Sequence, residues 1–264
     1  MTLTRHAKWI LAAVSAFVVV ILYGPLIVIG IQSLNSSASG AWPPTGLTLK
    51  WWTRAWGNGG WTDALRYSLL IALVATIVAL ALGTLASFAV YRFSFFGRNV
   101  VSFLVVLPIA LPGIVTGIAL HSAFDRLDIS LGFLTIVVGH ATFCIVVVYN
   151  NVIARLRRSS PNIEEASADL GANPFQTFAH ITFPALRTAM LAGAMLAFAL
   201  SFDEVVVTTF TSGARETLPR WILDNVFRGK QVTVVNVVAT AVVLLSIIPV
   251  WVVQRLTDGG SGGR

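Results

Sequence analysis

The sequence predicts an all-α membrane protein with six transmembrane helices. Hydrophobic residues make up 56% of the 264 residues, and charged residues only 11%. A soluble domain carries about 25% charged residues, so the bilayer is the expected solvent for most of this chain. Six long apolar segments also occur, and a helix needs about 20 such residues to cross the hydrocarbon core.

The predicted spans form a single transmembrane domain of residues 1–264. They cover residues 9–31, 67–91, 99–124, 129–151, 185–207 and 231–254. The first segment is too long for a signal-peptide core and has no convincing small-residue cleavage site, so we expect a retained anchor. The third contains Pro108 and Pro112, which should bend or break it. A packing kink and a helix that lines a pathway are both compatible with this break.

The fifth span is irregular. Its uncharged run from Thr188 to Phe202 is about 22 Å long at 1.5 Å per residue, which is too short to cross alone. Apolar residues resume after Asp203 and Glu204. Either the helix ends at these acids, or they lie within the outer part of a longer span. A carboxylate inside the bilayer costs roughly 2.5–3.5 kcal/mol, so it should face a cavity, a cation or a partner.

The charge distribution indicates topology rather than nucleic-acid binding. The net charge is +7, but the basic residues lie between apolar runs, where they act as topology signals and lipid contacts. Six spans place both termini on one side. The cluster Arg155, Arg157 and Arg158 at the end of the fourth span favours the cytoplasm for that side. The tryptophan-rich segment 35–61 is then external, with its rings at headgroup level.

Residues 155–184 form the long polar loop on the same side. We expect Ser160 and Pro161 to begin a short helix with two glutamates in its first turn, and Gly171 to end it. Asn173 and Pro174 should begin a second short helix that runs towards Pro184. Small residues and acids on the first helix suit docking to a basic groove of a partner. An ordinary amphipathic surface helix is the alternative.

This loop resembles the EAA loop of permease subunits of bacterial binding-protein-dependent ABC importers. That pattern is Glu-Ala-Ala, three residues, Gly, nine residues, Ile, one residue and Leu-Pro. This chain has the same spacing, with Ser167 in place of Ala and Phe183 in place of Leu. The resemblance implies a type I ABC importer permease fold with a coupling helix between helices 4 and 5. It implies that the ATPase-coupling residues are Glu164, Glu165, Ala166, Ser167, Asp169, Gly171, Ala172, Ile181 and Pro184.

The resemblance also implies an assembly. The expected partners are two ATP-binding subunits, a second homologous permease that we expect to be a different chain, an extracytoplasmic solute-binding protein and membrane lipid. This chain is then not an enzyme and has no cofactor, because ATP is bound by the partner subunits, and it lacks a P-loop. The expected location is the bacterial plasma membrane, with several crossings and both termini in the cytoplasm.

The stretch from Ala199 to Thr208, with Thr217-Leu218-Pro219, is similar to the polyamine-type branch of these permeases. That branch transports spermidine and putrescine, and similar permeases transport ferric iron, aminoethylphosphonate and other small charged solutes. The expected substrate-pathway residues are Ser201, Phe202, Asp203 and Glu204. Neighbouring helical residues point about 100° apart, so at most one acid should face the pathway, and we favour Asp203. The structural alternative is that either acid pairs with an arginine such as Arg215 or Arg220, or simply lies at the membrane interface.

Other functions have weaker support. A different solute, including an amino-acid-like compound, fits the same importer class. A secondary transporter should show repeated halves, and it would leave the loop unexplained. The sequence has no HExxH or GxSxG motif. His140 lies inside the fourth span without a second metal ligand at suitable spacing, so we expect packing or hydrogen bonding. We expect Cys144 to be a small buried residue. We expect the tail from Gly259 to be a flexible end, and the sequence does not decide whether it is native.

Overall fold

The described part of the chain is helical. The computed structural model describes residues 4–38, 40–57, 59–159, 162–229 and 232–258, and in these ranges strand-like pairing is limited to one bridge between Asn35 and Leu47. The all-α prediction is therefore confirmed. The predicted helix start at Ser160 and Pro161, residue Gln231 and the tail from Gly259 lie outside the described residues.

The helices are numbered in chain order. They are α1 (Arg5–Ser33), α2 (Lys50–Trp56), α3 (Gly59–Arg92), α4 (Arg98–Ala110), α5 (Gly113–Arg126), α6 (Phe133–Arg158), α7 (Asn162–Asp169), α8 (Pro174–Thr177), a π-helical turn (Phe178–Thr182), α9 (Phe183–Asp203), α10 (Val206–Thr211), α11 (Leu218–Arg228) and α12 (Val232–Asp258).

Four helical segments of the described chain are long and apolar enough to cross a membrane. They are α1, α3, α6 and the continuous stretch Pro174–Asp203. The pair α4 and α5 makes a fifth crossing if it traverses the bilayer as one bent span. The sixth predicted span falls on α12, whose apolar described part is Val232–Ile247.

Three helices extend well beyond the predicted spans. α1 begins at Arg5 rather than residue 9, α3 begins at Gly59 rather than 67, and α6 ends at Arg158 rather than 151. A charged residue ends the part of a helix that can lie in hydrocarbon, but it does not end the helix. The arginines in the last turn of α6 even suit its negative C-terminal end.

The break predicted in the third span lies at Leu111 and Pro112. α4 ends at Ala110, α5 begins at Gly113, and the two helices are bent by 108°. Pro112 cannot donate an amide hydrogen to the carbonyl of Pro108, so the helical ladder ends here.

Two predictions around the fifth span need correction. The helix that Asn173 caps is not a separate short helix. It continues through the π-helical turn into α9, because Pro184 is tolerated in the first turn of α9. The span does not continue to residue 207 either. α9 ends at Asp203, Glu204 is extended, and α10 begins at Val206. The helix thus ends at the acids, which is the first of the two alternatives drawn from the sequence.

Contacts divide the chain into two units, residues 1–62 with 221–264, and residues 63–220. In the first unit, α12 packs against α1 and α2. The indole nitrogens of two buried tryptophans donate to backbone carbonyls, Trp51 to Asn35 at 2.9 Å and Trp61 to Ala55 at 2.7 Å. These two rings therefore hold the tryptophan-rich segment 35–61 together.

In the second unit, α6 is the most buried of the long apolar helices. It packs against α9, and a buried cluster that includes Cys144, Val148 and Leu186 fills the contact. Glycines permit the close approach. A Cβ atom on Gly193 would lie 3.2 Å from the Val148 Cα, and one on Gly83 would lie 2.9 Å from the Ile145 carbonyl oxygen. Small residues allow helices to approach in membranes, where packing replaces the hydrophobic effect between spans.

We expect Gly83→Ala to destabilise the protein. The new methyl group would lie 2.9 Å from both the Ile145 carbonyl oxygen and the Val148 Cβ, so α3 and α6 must move apart. Overpacking of this kind costs about 1–3 kcal/mol. Thermal unfolding of the purified protein in detergent measures the effect as a lower melting temperature. Gly24→Ala is the matched control, because a Cβ there meets nothing within 4 Å. Equal melting temperatures for both variants would contradict the packing account.

Candidate functional site

The polar loop folds as a short helix held against its own chain. Gly171 has φ +86°, a left-handed conformation that favours glycine and ends α7. The Ser167 and Thr177 hydroxyls lie 3.0 Å apart and join α7 to α8. Asn173 and Gln176 cap the next helix reciprocally, with both hydrogen bonds at 2.9 Å. The loop is thus an ordered element in its own right.

The two glutamates of α7 have different surroundings. Glu164 forms an ion pair with Arg92 at the end of α3, and its other oxygen accepts a hydrogen bond of 2.7 Å from the Thr182 hydroxyl. Glu165 is exposed. Glu164 therefore anchors α7 to the helices of the same unit, while Glu165 is available to another molecule.

The outward side of the loop combines acids with apolar groups. Leu170 is 90% exposed and Phe175 is 77% exposed. Ala166 and Asp169 are exposed as well, whereas Ser167 is buried. Of the remaining predicted coupling residues, Gly171 and Pro184 are exposed and Ala172 and Ile181 are half-buried. Between α7 and the ends of α3, α6 and α9 lies a cavity of about 510 Å³, whose lining includes Arg92, Arg155 and Arg158.

The second candidate region is the break between α9 and α10. The ring of His140 on α6 is fully buried, with Nδ1 2.8 Å from the Ser201 hydroxyl and Nε2 2.8 Å from the Thr208 hydroxyl. The Thr208 hydroxyl donates to the Glu204 carbonyl at 2.8 Å. A hydroxyl has one hydrogen, so Thr208 accepts from His140 Nε2–H, which leaves Nδ1 to accept from Ser201. The hydrogen-bonding role expected for His140 is therefore confirmed.

Two further side chains hold α10. The Thr135 hydroxyl lies 2.7 Å from the Thr211 carbonyl, and His121 Nδ1 lies 2.8 Å from the Phe210 carbonyl. Glycines let the helices meet closely. A Cβ on Gly117 would lie 2.6 Å from the Phe210 ring, and one on Gly139 would lie 3.0 Å from Val207. Gly113 and Gly117 are four residues apart in α5, a spacing whose packing role the sequence analysis missed.

The predicted pathway residues are neighbours in sequence but differ in their surroundings. Ser201 is buried against His140, and the Phe202 ring stacks on Phe198 at 6.3 Å. Asp203 is exposed at the end of α9. Glu204 is half-buried and lines a cavity of about 210 Å³, where its Oε1 accepts a hydrogen bond of 2.8 Å from the Val207 amide.

Pairing of these acids with Arg215 or Arg220 is not observed. Arg215 lies over the Tyr67 ring at 4.3 Å, and Arg220 donates to the Ser212 hydroxyl. Within the described ranges, the ion pairs are Arg92–Glu164 and Arg228–Asp224. No group of three or more His, Cys, Asp and Glu side chains that could hold a metal ion occurs among the described residues.

Comparison with known proteins supplies the family. Residues 79–259 match the family described as binding-protein-dependent transport system inner membrane component. The chain is 35% identical over 247 residues to the spermidine/putrescine transport system permease protein PotC of Escherichia coli (strain K12), covering 91% of this chain and 92% of that protein. It is 36% identical over 217 residues to the putrescine transport system permease protein PotI of the same strain, covering 79% and 76%.

A solved structure has the same fold. It is the crystal structure of a bacterial ABC transporter involved in the import of the acidic polysaccharide alginate, with a TM-score of 0.69 and coverage of 98% of this chain and 99% of that chain. At 16% identity, this likeness concerns the fold alone. With the family match over most of the sequence, it leads to one conclusion. The chain belongs to the inner-membrane permease components of binding-protein-dependent transport systems.

Proposed function

We propose that this chain is one permease half of an ATP-driven ABC importer that transports polyamines such as spermidine or putrescine. Similarity to PotC extends over 91% of the chain, and it includes the loop and the Asp203-Glu204 break. The observation that carries the proposal is the loop around α7, which Glu164 fixes to the same unit and which exposes Glu165 on α7, Leu170 just after it and Phe175 on α8. Such a surface suits a protein partner rather than water.

In this proposal α7 is the coupling helix between the fourth and fifth spans. Its exposed face docks into a cleft of an ATP-binding subunit, with Glu165 against basic groups there. The small residue Ala166 allows close approach, and the left-handed Gly171 turns the chain towards α8. Asp169, Ala172, Ile181 and Pro184 complete or support the contact, and Ser167 fixes its shape from inside.

The wider assembly follows from the same proposal. The chain crosses the membrane six times, with both termini and α7 in the cytoplasm. A second, related permease completes the pathway, two ATPase subunits bind and hydrolyse ATP, and an extracytoplasmic protein delivers the solute. This chain contributes no catalytic residue and no cofactor. The pathway passes the segment Ser201–Glu204, where the acids favour a cationic solute.

A charge reversal on α7 tests the coupling role. We expect Glu165→Arg to reduce ATP-driven uptake at least tenfold, because an arginine would face basic groups of the partner. Uptake is measured with the complete transporter in proteoliposomes, and the melting temperature is measured alongside. Asp63→Arg is the matched control, since it reverses another exposed carboxylate outside α7. Uptake by Glu165→Arg at the wild-type rate would refute the assignment.

Solute uptake tests the substrate class. Cells that lack this chain should lose ATP-dependent accumulation of labelled spermidine or putrescine, and the restored wild-type chain should recover it. Competition by excess unlabelled polyamine, but not by ferric iron or aminoethylphosphonate, is the expected pattern. Undiminished polyamine uptake in the deletion strain, with loss of uptake of one of the other solutes, would reassign the substrate within the same importer class.

A further inference from the structure

Two helix breaks face each other within the unit of residues 63–220. One separates α4 from α5 at Leu111 and Pro112, and the other separates α9 from α10 at Glu204 and Val205. A Cβ atom on Gly113 would lie 3.7 Å from the Val206 Cβ, so the two breaks are in contact. The cavity of about 210 Å³ lies between them, and its lining includes Pro108, Leu111, Thr116, Phe143, Leu200 and Glu204.

The polar groups of this cavity are hydrogen-bond acceptors or can act as acceptors. The Glu204 carboxylate receives one bond, from the Val207 amide, and among the described residues it has no ion-pair partner. The Thr116 hydroxyl is buried and has no hydrogen-bond partner within the described ranges. The carbonyl of Pro108 cannot receive the usual bond from four residues later, because that residue is Pro112.

This arrangement matches the chemistry of a primary ammonium group. Such a group carries a positive charge and three N–H donors, and it accepts no hydrogen bond. A carboxylate, a hydroxyl and a backbone carbonyl that lacks its usual helical bond can each receive one of these donors. Phe143 also lines the cavity, and an aromatic ring can attract a cation. Transporters commonly bind cations where helices are interrupted and backbone carbonyls are released.

We propose that the cavity between the two breaks is an ammonium subsite, with the Glu204 carboxylate as counter-ion and Thr116 and the Pro108 carbonyl as orienting acceptors. The inference rests on the proposed function, because it assigns a place to one end of a polyamine. The volume is below the roughly 300–1,000 Å³ of complete ligand pockets, so the cavity holds one ammonium end. The rest of the solute extends into the pathway.

The subsite also distinguishes the two adjacent acids. Glu204 lines the cavity, and its backbone carbonyl is held by Thr208 and, through Thr208, by His140. Asp203 is exposed and is not among the cavity residues. The structure thus favours Glu204 over Asp203, the acid favoured from the sequence, as the group that neutralises the solute.

Uptake kinetics of the complete transporter in proteoliposomes test the subsite. Glu204→Gln keeps the shape and can still accept from the Val207 amide, but it removes the charge. We expect the KM for putrescine to rise at least tenfold. Thr116→Val should raise the KM severalfold, and Thr116→Ser should retain a wild-type value. Asp203→Asn should raise the KM less than Glu204→Gln does. Unchanged KM values for Glu204→Gln and Thr116→Val, or a larger effect of Asp203→Asn, would overturn the subsite.

A binding measurement separates failure of the subsite from failure of the proposed function. Putrescine should raise the melting temperature of the wild-type transporter in detergent, and Glu204→Gln and Thr116→Val should each abolish that increase. If the wild type does not import polyamines, the proposed function fails. In that case, a putrescine-dependent increase in the melting temperature that both variants abolish would still support an ammonium site. No increase in the wild type, or an increase in the two variants equal to that of the wild type, would refute the site.

Discussion

The fold of residues 63–220 depends on how its two helix breaks satisfy their backbone in a membrane. In hydrocarbon an unpaired N–H or C=O group costs several kcal/mol, so an interrupted helix persists only where neighbouring groups replace the lost bonds. At the break between α9 and α10, polar side chains from α5, α6 and the broken segment itself do so. The Thr208 hydroxyl donates a hydrogen bond to the Glu204 carbonyl, and the Thr135 hydroxyl donates one to the Thr211 carbonyl. The His140 ring is hydrogen-bonded to both the Ser201 and the Thr208 hydroxyls.

The same elements connect the candidate docking surface to the break. α7 is tied through Glu164 to Thr182 at the start of α9 and to Arg92 at the end of α3. α9 has 21 residues, about 30 Å, and it ends at Asp203, directly before Glu204. Because α9 also packs along α6, one continuous and supported helix joins the candidate docking surface to the break. This connection gives the proposed coupling a physical route.

Sequence reasoning located the apolar segments better than the helices that contain them. A run without charges measures what can lie in hydrocarbon, whereas helix ends depend on caps and backbone conformation, as at Gly171 and Asn173. The break at Pro112 follows from its missing N–H. The π-helical turn also reflects a missing N–H, because Pro184 cannot donate to the His180 carbonyl. The Phe183 N–H bonds to the Phe178 carbonyl, five residues earlier. The sequence pattern does not predict the extra residue that this turn contains.

The candidate sites could be predicted only as far as local spacing reaches. Spacing placed Glu164 and Glu165 on one short helix, but the partner that turns Glu164 inward is Arg92, which is 72 residues away. Likewise, Glu204 differs from Asp203 in that it lines a cavity together with Thr116 and Phe143, which lie on helices that only the tertiary fold brings to the break. For His140, the sequence predicts packing or hydrogen bonding but does not identify the partners. Ser201 and Thr208 lie on either side of the α9/α10 break, and the position of that break does not follow from the sequence.

Contact between the two breaks is the central claim, and disulfide crosslinking tests it most directly. A Cβ on Gly113 would lie 3.7 Å from the Val206 Cβ, which fits the separation of about 3.5–4.5 Å between the Cβ atoms of a disulfide. In a Cys144→Ala background, which removes the free thiol, Gly113→Cys with Val206→Cys should crosslink in membranes under mild oxidation. Each single variant should stay uncrosslinked, and a reductant should reverse the bond. Absence of a crosslink in the double variant, with both thiols present and the protein folded, would contradict the account.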